Sequence, residues 1–188
     1  MKVIETEILG AKIIEPRVFG DARGYFFESW NRQAFREAGI DVDFVQDNES
    51  FSSYGVLRGL HYQMAPYTQA KLVRVVSGTV LDVIVDIRRG SPTFGRHIAV
   101  ELSGENKRQL FAPRGMAHGF AVLSETAQFL YKCDNFYAPS SERSIRFDDP
   151  ALGIDWRIRP EKWLLSAKDR DGVLFAEADL LDFEKEIR

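Results

Sequence analysis

Thr79-Val80-Leu81-Asp82-Val83-Ile84-Val85-Asp86-Ile87 is the stretch whose reading decides the fold. It is rich in β-branched residues and holds no glycine or proline to interrupt an extended backbone. Odd positions are mostly apolar, while Asp82 and Asp86 interrupt the other face, which is the period-2 pattern of a half-buried strand. Similar runs flank it: Val56-Leu57, Leu72 to Val76, His97 to Leu102, Phe120 to Leu123 and Gln128 to Cys133. Between them lie the turn-forming clusters Ser77-Gly78, Arg89-Gly90-Ser91-Pro92, Ser103-Gly104-Glu105-Asn106 and Pro113-Arg114-Gly115. Strands at this spacing, with no long helices alternating between them, predict an all-β antiparallel sandwich or barrel and argue against a doubly wound parallel sheet.

Outside this block the signals are weaker. Ile8 to Phe19 holds short apolar pieces broken by Gly10 and Pro16, which predicts edge strands. Asp21 to Gly24 reads as a turn leading into the aromatic run Tyr25-Phe26-Phe27. Asn31 can cap a short helix over Arg32 to Ala38, and Gly39 can end it. After Pro150 the composition shifts: Leu152 to Trp156 is one more strand or a packed loop, and Val173 to Phe183 is expected to be helical. One domain covering 1–188, with a few small peripheral helices, is the expected organisation.

Bulk composition narrows the function classes. A chain of 188 residues with 45% apolar and 28% charged residues is ordinary for a soluble globular protein. The net charge of -3 argues against broad nucleic-acid binding, which needs a basic face. Cys133 is the only cysteine, so no intrachain disulfide forms. The N-terminal stretch lacks the apolar run of a secretory signal, and no segment reaches membrane-spanning length, so a cytoplasmic protein is expected.

The chemistry centres on Arg58-Gly59-Leu60-His61-Tyr62-Gln63 and Lys71-Leu72-Val73-Arg74. One imidazole between two long cations suits an anionic substrate and a proton transfer, although a histidine tied to backbone in a strand fits the same letters. His61, His97 and His118 are far apart and form no His-x-His pair, so no metal site is expected. Phosphate-cradling glycine loops are absent. In period 2, Cys133 shares a face with Tyr131 and Phe129, which reads as a small buried hydrophobe. Tyr131, if that face is interior, is a phenol able to move a proton or simply a core tyrosine. The glycines around His118 fit either close backbone approach to a ligand or a tight turn. Ser166-x-x-Asp169 reads as a helix cap, and Asp169 could equally orient His61.

Taken in order, Asp21-x-Arg23-Gly24, Gln46-Asp47-Asn48, Arg58 to Gln63, Ala70 to Arg74, Ser91 to Gly95, Pro113 to Gly119, Tyr131 to Pro139 and Ser166 to Asp169 resemble the dTDP-4-dehydrorhamnose 3,5-epimerase family, from about Phe19 to Asp169. Met116 stands where that family more often has phenylalanine. The resemblance implies a cupin-type jelly roll without metal or other cofactor, and a homodimer that exchanges N-terminal strands. It further implies a dTDP-4-dehydro-6-deoxy-D-glucose substrate, with His61 as base, Asp169 orienting it, Lys71 at the enolate oxygen and Tyr131 as the opposing acid. Arg23, Phe26, Glu28, Gln46, Asp47, Asn48, Arg58, Gln63, His118, Tyr137, Glu142 and Lys168 match substrate-binding positions, with Tyr137 stacking on thymine and Arg23 and Glu28 reaching the neighbouring subunit's site. A relative that inverts C3 alone, a metal-dependent cupin dioxygenase and a non-catalytic nucleotide-sugar binder are the competing expectations.

Overall fold

The computed structural model describes residues 1–186. The chain opens with β1 (Lys2–Glu5) and β2 (Lys12–Glu15), then a hairpin of β3 (Phe19–Asp21) and β4 (Gly24–Phe26), then α1 (Arg32–Glu37). The strand-rich centre follows as β5 (Gln46–Ser53), β6 (Leu57–Gln63), β7 (Lys71–Ser77), β8 (Thr79–Asp86), β9 (Arg88–Arg89), β10 (His97–Ser103), β11 (Gln109–Ala112), β12 (Met116–Val122) and β13 (Thr126–Cys133). The remainder contributes β14 (Glu142–Ser144), α2 (Ala167–Arg170), β15 (Leu181–Asp182) and α3 (Phe183–Glu186). A six-stranded sheet in the order β1-β2-β11-β7-β13-β5 faces a five-stranded sheet in the order β10-β8-β12-β6-β14. Within both sheets every pairing is antiparallel, the architecture of a cupin-like β-sandwich.

Packing follows the alternation of each strand. Val80 and Ile84 of β8 meet Val73, Val75, Leu110 and Phe129 of the opposite sheet in the space between the two. Leu81, Val83, Val85 and Ile87 point the other way, where Ile145, Phe147, Leu152, Trp156 and Leu181 cover them. The stretch that reads as half-buried is therefore buried on both faces, because the C-terminal segment lies across the outer side of its sheet. Leu152 to Trp156 is a loop in that cover, anchored where the Trp156 indole N–H donates to Phe147 O at 2.8 Å.

Two further expectations change. Residues 2–5 form the sheet edge, so β2 lies inside the sheet between β1 and β11. Val173 to Phe183 is not a helix: Val173 bridges Ile145, Phe175–Glu177 is a single 3-10 turn, and Leu181 pairs in parallel with Arg88. Tertiary contacts take up these backbone groups, among them the Phe175 N–H, which donates to Asp149 Oδ2 at 2.6 Å. The helix capped by Ser166 ends after one turn at Arg170. By contrast α1 has its Asn31 cap, with the side chain accepting from Ala34 N, and Gly39 follows it at φ +78°.

The feature that places the site is an irregularity in β6. His61 pairs with His118 but Arg58 pairs with Phe120, so β6 carries one extra residue opposite Gly119. Strict alternation would send Arg58 and His61 to opposite faces; the bulge brings both to the interior cavity. Gly59 sits at φ +133°, a conformation suited to glycine. Gly119 is required by closeness, since a Cβ there would lie 2.6 Å from Arg58 O and 3.1 Å from Gly59 Cα. Gly119→Ala is expected to cost about 1–3 kcal/mol by forcing these backbones apart. A urea denaturation midpoint indistinguishable from that of the unsubstituted chain would contradict this account.

Candidate active site

One end of the space between the sheets is filled and the other is open. Along β13 the inward residues run Phe129, Tyr131, Cys133, and register sets Val75, Val73 and Lys71 of β7 beside them. On β5 their partners are Ser50, Asn48 and Gln46. Apolar contacts thus give way, residue by residue, to a polar floor. From the facing sheet come His61, Arg58 and His118. Gln46, Asn48, Arg58, His61, Lys71, His118 and Tyr131 among them border a cavity of 510 Å³, within the range of small-molecule sites.

His61 Nε2 stands 2.9 Å from Asp169 Oδ1, which sets the imidazole directly against the carboxylate. Asp169 also serves its helix: Ser166 Oγ donates to Oδ2 at 2.5 Å, and the capping box is complete. Gly59 N–H donates to Oδ1 at 2.9 Å, which ties the β6 bulge to the same carboxylate. Burial pushes the Asp169 carboxyl up, but His61, Ser166 and the Gly59 N–H outweigh it and hold the group well below the usual carboxylate range. The one carboxylate thus caps its helix and stands against His61 at the same time.

Lys71 projects from the floor, its Nζ 5.9 Å from the centroid of the Tyr131 ring. Desolvation lowers its pKa; Cys133, Asp82 and Glu142 pull the other way, and the net shift is downward. Tyr131 moves oppositely, raised chiefly by burial, so its phenol keeps its proton at neutral pH. No protein group hydrogen-bonds the Tyr131 hydroxyl among the described residues, so its proton is free to be given to a ligand. Cys133 is buried, and its thiol is pushed up to about 11, chiefly by burial, so it is inert at neutral pH.

Asp82 is a site residue that the sequence reading did not single out. It lies under the cavity with Oδ2 2.9 Å from His118 Nε2, while Oδ1 has no partner. Burial raises its pKa, and His118 and Lys71 oppose that rise. The available signal was the carboxylate breaking an otherwise apolar strand face. Ser50 Oγ, His61 Nε2 and Asp82 Oδ1 are the buried side-chain atoms without a regular hydrogen bond among the described residues, and all belong to this site or its floor.

At the mouth, the Tyr137 hydroxyl donates to Glu142 Oε2 at 2.8 Å, and Lys168 pairs with the other oxygen of Glu142. That network fixes a half-exposed aromatic ring beside the opening. Gln46 accepts from Tyr137 N, and Arg58 donates to Ser52 Oγ. Two expected binding residues point elsewhere. The Asp47 side chain leaves the cavity, because alternation between Gln46 and Asn48 turns it to the outer face, where it pairs with Lys132 at 2.8 Å. Gln63 uses its amide on Tyr67 O, Phe136 O and Ala138 N, holding loops together outside the main cavity. Arg23, Phe26 and Glu28 are also absent from it. Arg23 and Phe26 lie in the β3–β4 hairpin around a separate shallow depression, and Glu28 accepts from Asn31. Among the described residues no cluster of three or more His, Cys, Asp and Glu side chains is placed to hold a metal ion.

A jelly roll presenting an imidazole with its carboxylate, a proton-bearing phenol and a desolvated ammonium around one cavity defines a proton-transferring isomerase of the cupin type. Comparison supplies the particular family. The family model for dTDP-4-dehydrorhamnose 3,5-epimerase matches residues 5–177. The chain is 56% identical over 180 residues to the dTDP-4-dehydrorhamnose 3,5-epimerase of Shigella flexneri, covering 95% of this chain and 98% of that one. It is 57% identical, with the same coverage, to the enzyme of that name from Pseudomonas aeruginosa. A crystal structure of the Legionella pneumophila dTDP-6-deoxy-D-glucose-3,5-epimerase in complex with dTDP-4-keto-L-rhamnose superposes with a TM-score of 0.93 at 52% identity, covering 96% of this chain and 97% of that one. The chain belongs to the dTDP-4-dehydrorhamnose 3,5-epimerase family.

The lowered pKa of Lys71 makes a signed prediction. A cation there is useful only below its pKa, so activity is expected to fall at alkaline pH with a midpoint below the roughly 10.4 of an ordinary lysine. Lys71→Gln is expected to remove that limb and to lower kcat about 10²–10³-fold. A kcat–pH profile that keeps its alkaline limb in the variant would assign the limb to another group.

Proposed function

We propose that the protein converts dTDP-4-dehydro-6-deoxy-D-glucose to dTDP-4-dehydro-L-rhamnose by inverting C3 and C5. The observation that carries the reading is that His61 and Tyr131 border one cavity with Lys71 beside them. The C4 ketone acidifies the hydrogens on both neighbouring carbons, so one mechanism serves twice. His61 accepts the proton, and Asp169 supports the imidazolium that forms. Lys71 faces the oxygen on which enolate charge collects, where a fixed cation in a desolvated site has most effect. Tyr131 returns a proton to the opposite face, which inverts the centre. Substrate and product are isomers, so no redox equivalent is consumed.

Support for the binding roles comes from placement. Tyr137, held by Glu142 at the mouth, offers a flat surface for thymine, and Arg58 and Lys168 offer positive charge for the diphosphate. Gln46, Asn48 and His118 supply polar contacts along the wall. Incubation in D2O is expected to place deuterium at both C3 and C5, as read by NMR. Deuterium at C3 alone would identify a C3-specific epimerase instead. His61→Ala is expected to reduce exchange at both carbons by about 10²–10⁴-fold while nucleotide-sugar binding persists.

The assembly is proposed to be a homodimer. The β3–β4 hairpin pairs only with itself and leaves Phe19, Tyr25 and Phe26 at 51%, 58% and 70% exposure. A second copy would cover these rings and bring Arg23 and Glu28 to its neighbour's cavity. Mixing inactive His61→Ala and Arg23→Ala proteins under exchange conditions is then expected to restore about a quarter of the sites, since half of the randomly formed pairs contain one intact site. Mixtures as inactive as their parents would rule out this sharing. The free, buried Cys133 fits a cytoplasmic setting.

A further inference from the structure

Adjoining the main cavity lies a smaller one of 110 Å³. The two share His61, Lys71, Tyr131, Gln46, Tyr137 and Glu142, so the base and the acid each border both spaces. Gln63, Gln69, Met116 and Cys133 line only the smaller one. Its walls are largely polar, and its volume suffices for a few water molecules, each of which needs several polar partners.

Double inversion creates a requirement that single inversion does not. After the first centre inverts, His61 holds the proton taken from the sugar and Tyr131 has lost the one it gave. Before the second carbon can react on the same pair, the imidazolium must lose a proton and the phenolate must gain one. The bound sugar then occupies the main cavity between them.

We propose that the annex is the proton-return route: water held there accepts the proton from His61 and delivers one to Tyr131 while the sugar stays bound. The net change is imidazolium plus phenolate to imidazole plus phenol, with no bond to the substrate made or broken and no oxidant or reductant needed. No protein hydrogen bond links His61 to Tyr131 among the described residues, so the transfer needs an intermediary, and the annex is the second space that both residues border. The Gln69 side chain donates to Asn135 O at 2.8 Å, which leaves its oxygen available to orient water. This inference rests on the double-epimerase reading.

The test is product partitioning. With enzyme in excess over dTDP-4-dehydro-6-deoxy-D-glucose, rapid quench and NMR count singly and doubly inverted sugars. Gln69→Leu dries one wall, and Cys133→Leu fills part of the volume. In each, the first inversion is expected to stay within about twofold of the unsubstituted enzyme, while the ratio of doubly to singly inverted sugar falls at least about tenfold. Thermal melting confirms folding, and Gln69→Leu, at a half-buried position, carries the test if Cys133→Leu does not fold. An unchanged ratio, an equal slowing of both inversions, or a rise in KM alone, which would make the annex a substrate subsite, each overturn the route. Failure of the parent reading looks different: the unsubstituted enzyme would then leave C5 uninverted, and the route would fall with it.

Discussion

The structure depends on one carboxylate that joins two distant parts of the chain, accepting from Ser166 beside it and from Gly59 in β6. Asp169 closes its own helix through Ser166, accepts the N–H of Gly59 at the β6 bulge, and stands against the ring of His61. Each contact constrains the others. The bulge turns Arg58 and His61 to one side, and the short helix delivers the charge that faces the imidazole. The close approach of Gly59 to Gly119 leaves no room for side chains at that crossing. A carboxylate this well supplied with donors stays ionised, so it remains a fixed negative charge rather than a participant in proton traffic.

Burial divides the remaining groups by what it does to each. Removing water disfavours a charged lysine and a charged tyrosine alike, so Lys71 is made less basic and Tyr131 less acidic. In the proposed reaction the first faces the collecting anionic charge and the second keeps a proton to give. Asp82 lies below both, buried, half-paired with His118 and within electrostatic reach of Lys71. The floor of the cavity is therefore a small set of groups that water no longer stabilises and that a charged intermediate would.

Much of this was legible in the sequence, and the reasons differ by residue. Strands β6, β7, β8, β10, β12 and β13 announced themselves by alternation and turn chemistry, and the Asn31 and Ser166 caps by local spacing, whereas the polar β5 and the short β9 and β11 did not. The facing of His61 by Tyr131 came through the family resemblance, since no local pattern relates two strands of different sheets. Gln46, Asp47 and Asn48 came through the resemblance, and the alternation of β5 is what parts Asp47 from its neighbours. What could not be read was whatever depends on a third element lying over a second. The outer face of β8 is buried because residues after Pro150 cross it, and those residues carry a helix-like composition that tertiary contacts override. Likewise, a single extra residue in β6 has no signature beyond a glycine, yet it decides where two side chains point.

The tie between Gly59 and Asp169 joins residues 110 positions apart. During synthesis the strand bearing the imidazole leaves the ribosome long before the carboxylate that faces it. A nascent chain could close its sheets around the cavity and still lack the partner of its base. In a chain still being made, the imidazole therefore stands without the carboxylate that faces it until residue 169 has been added.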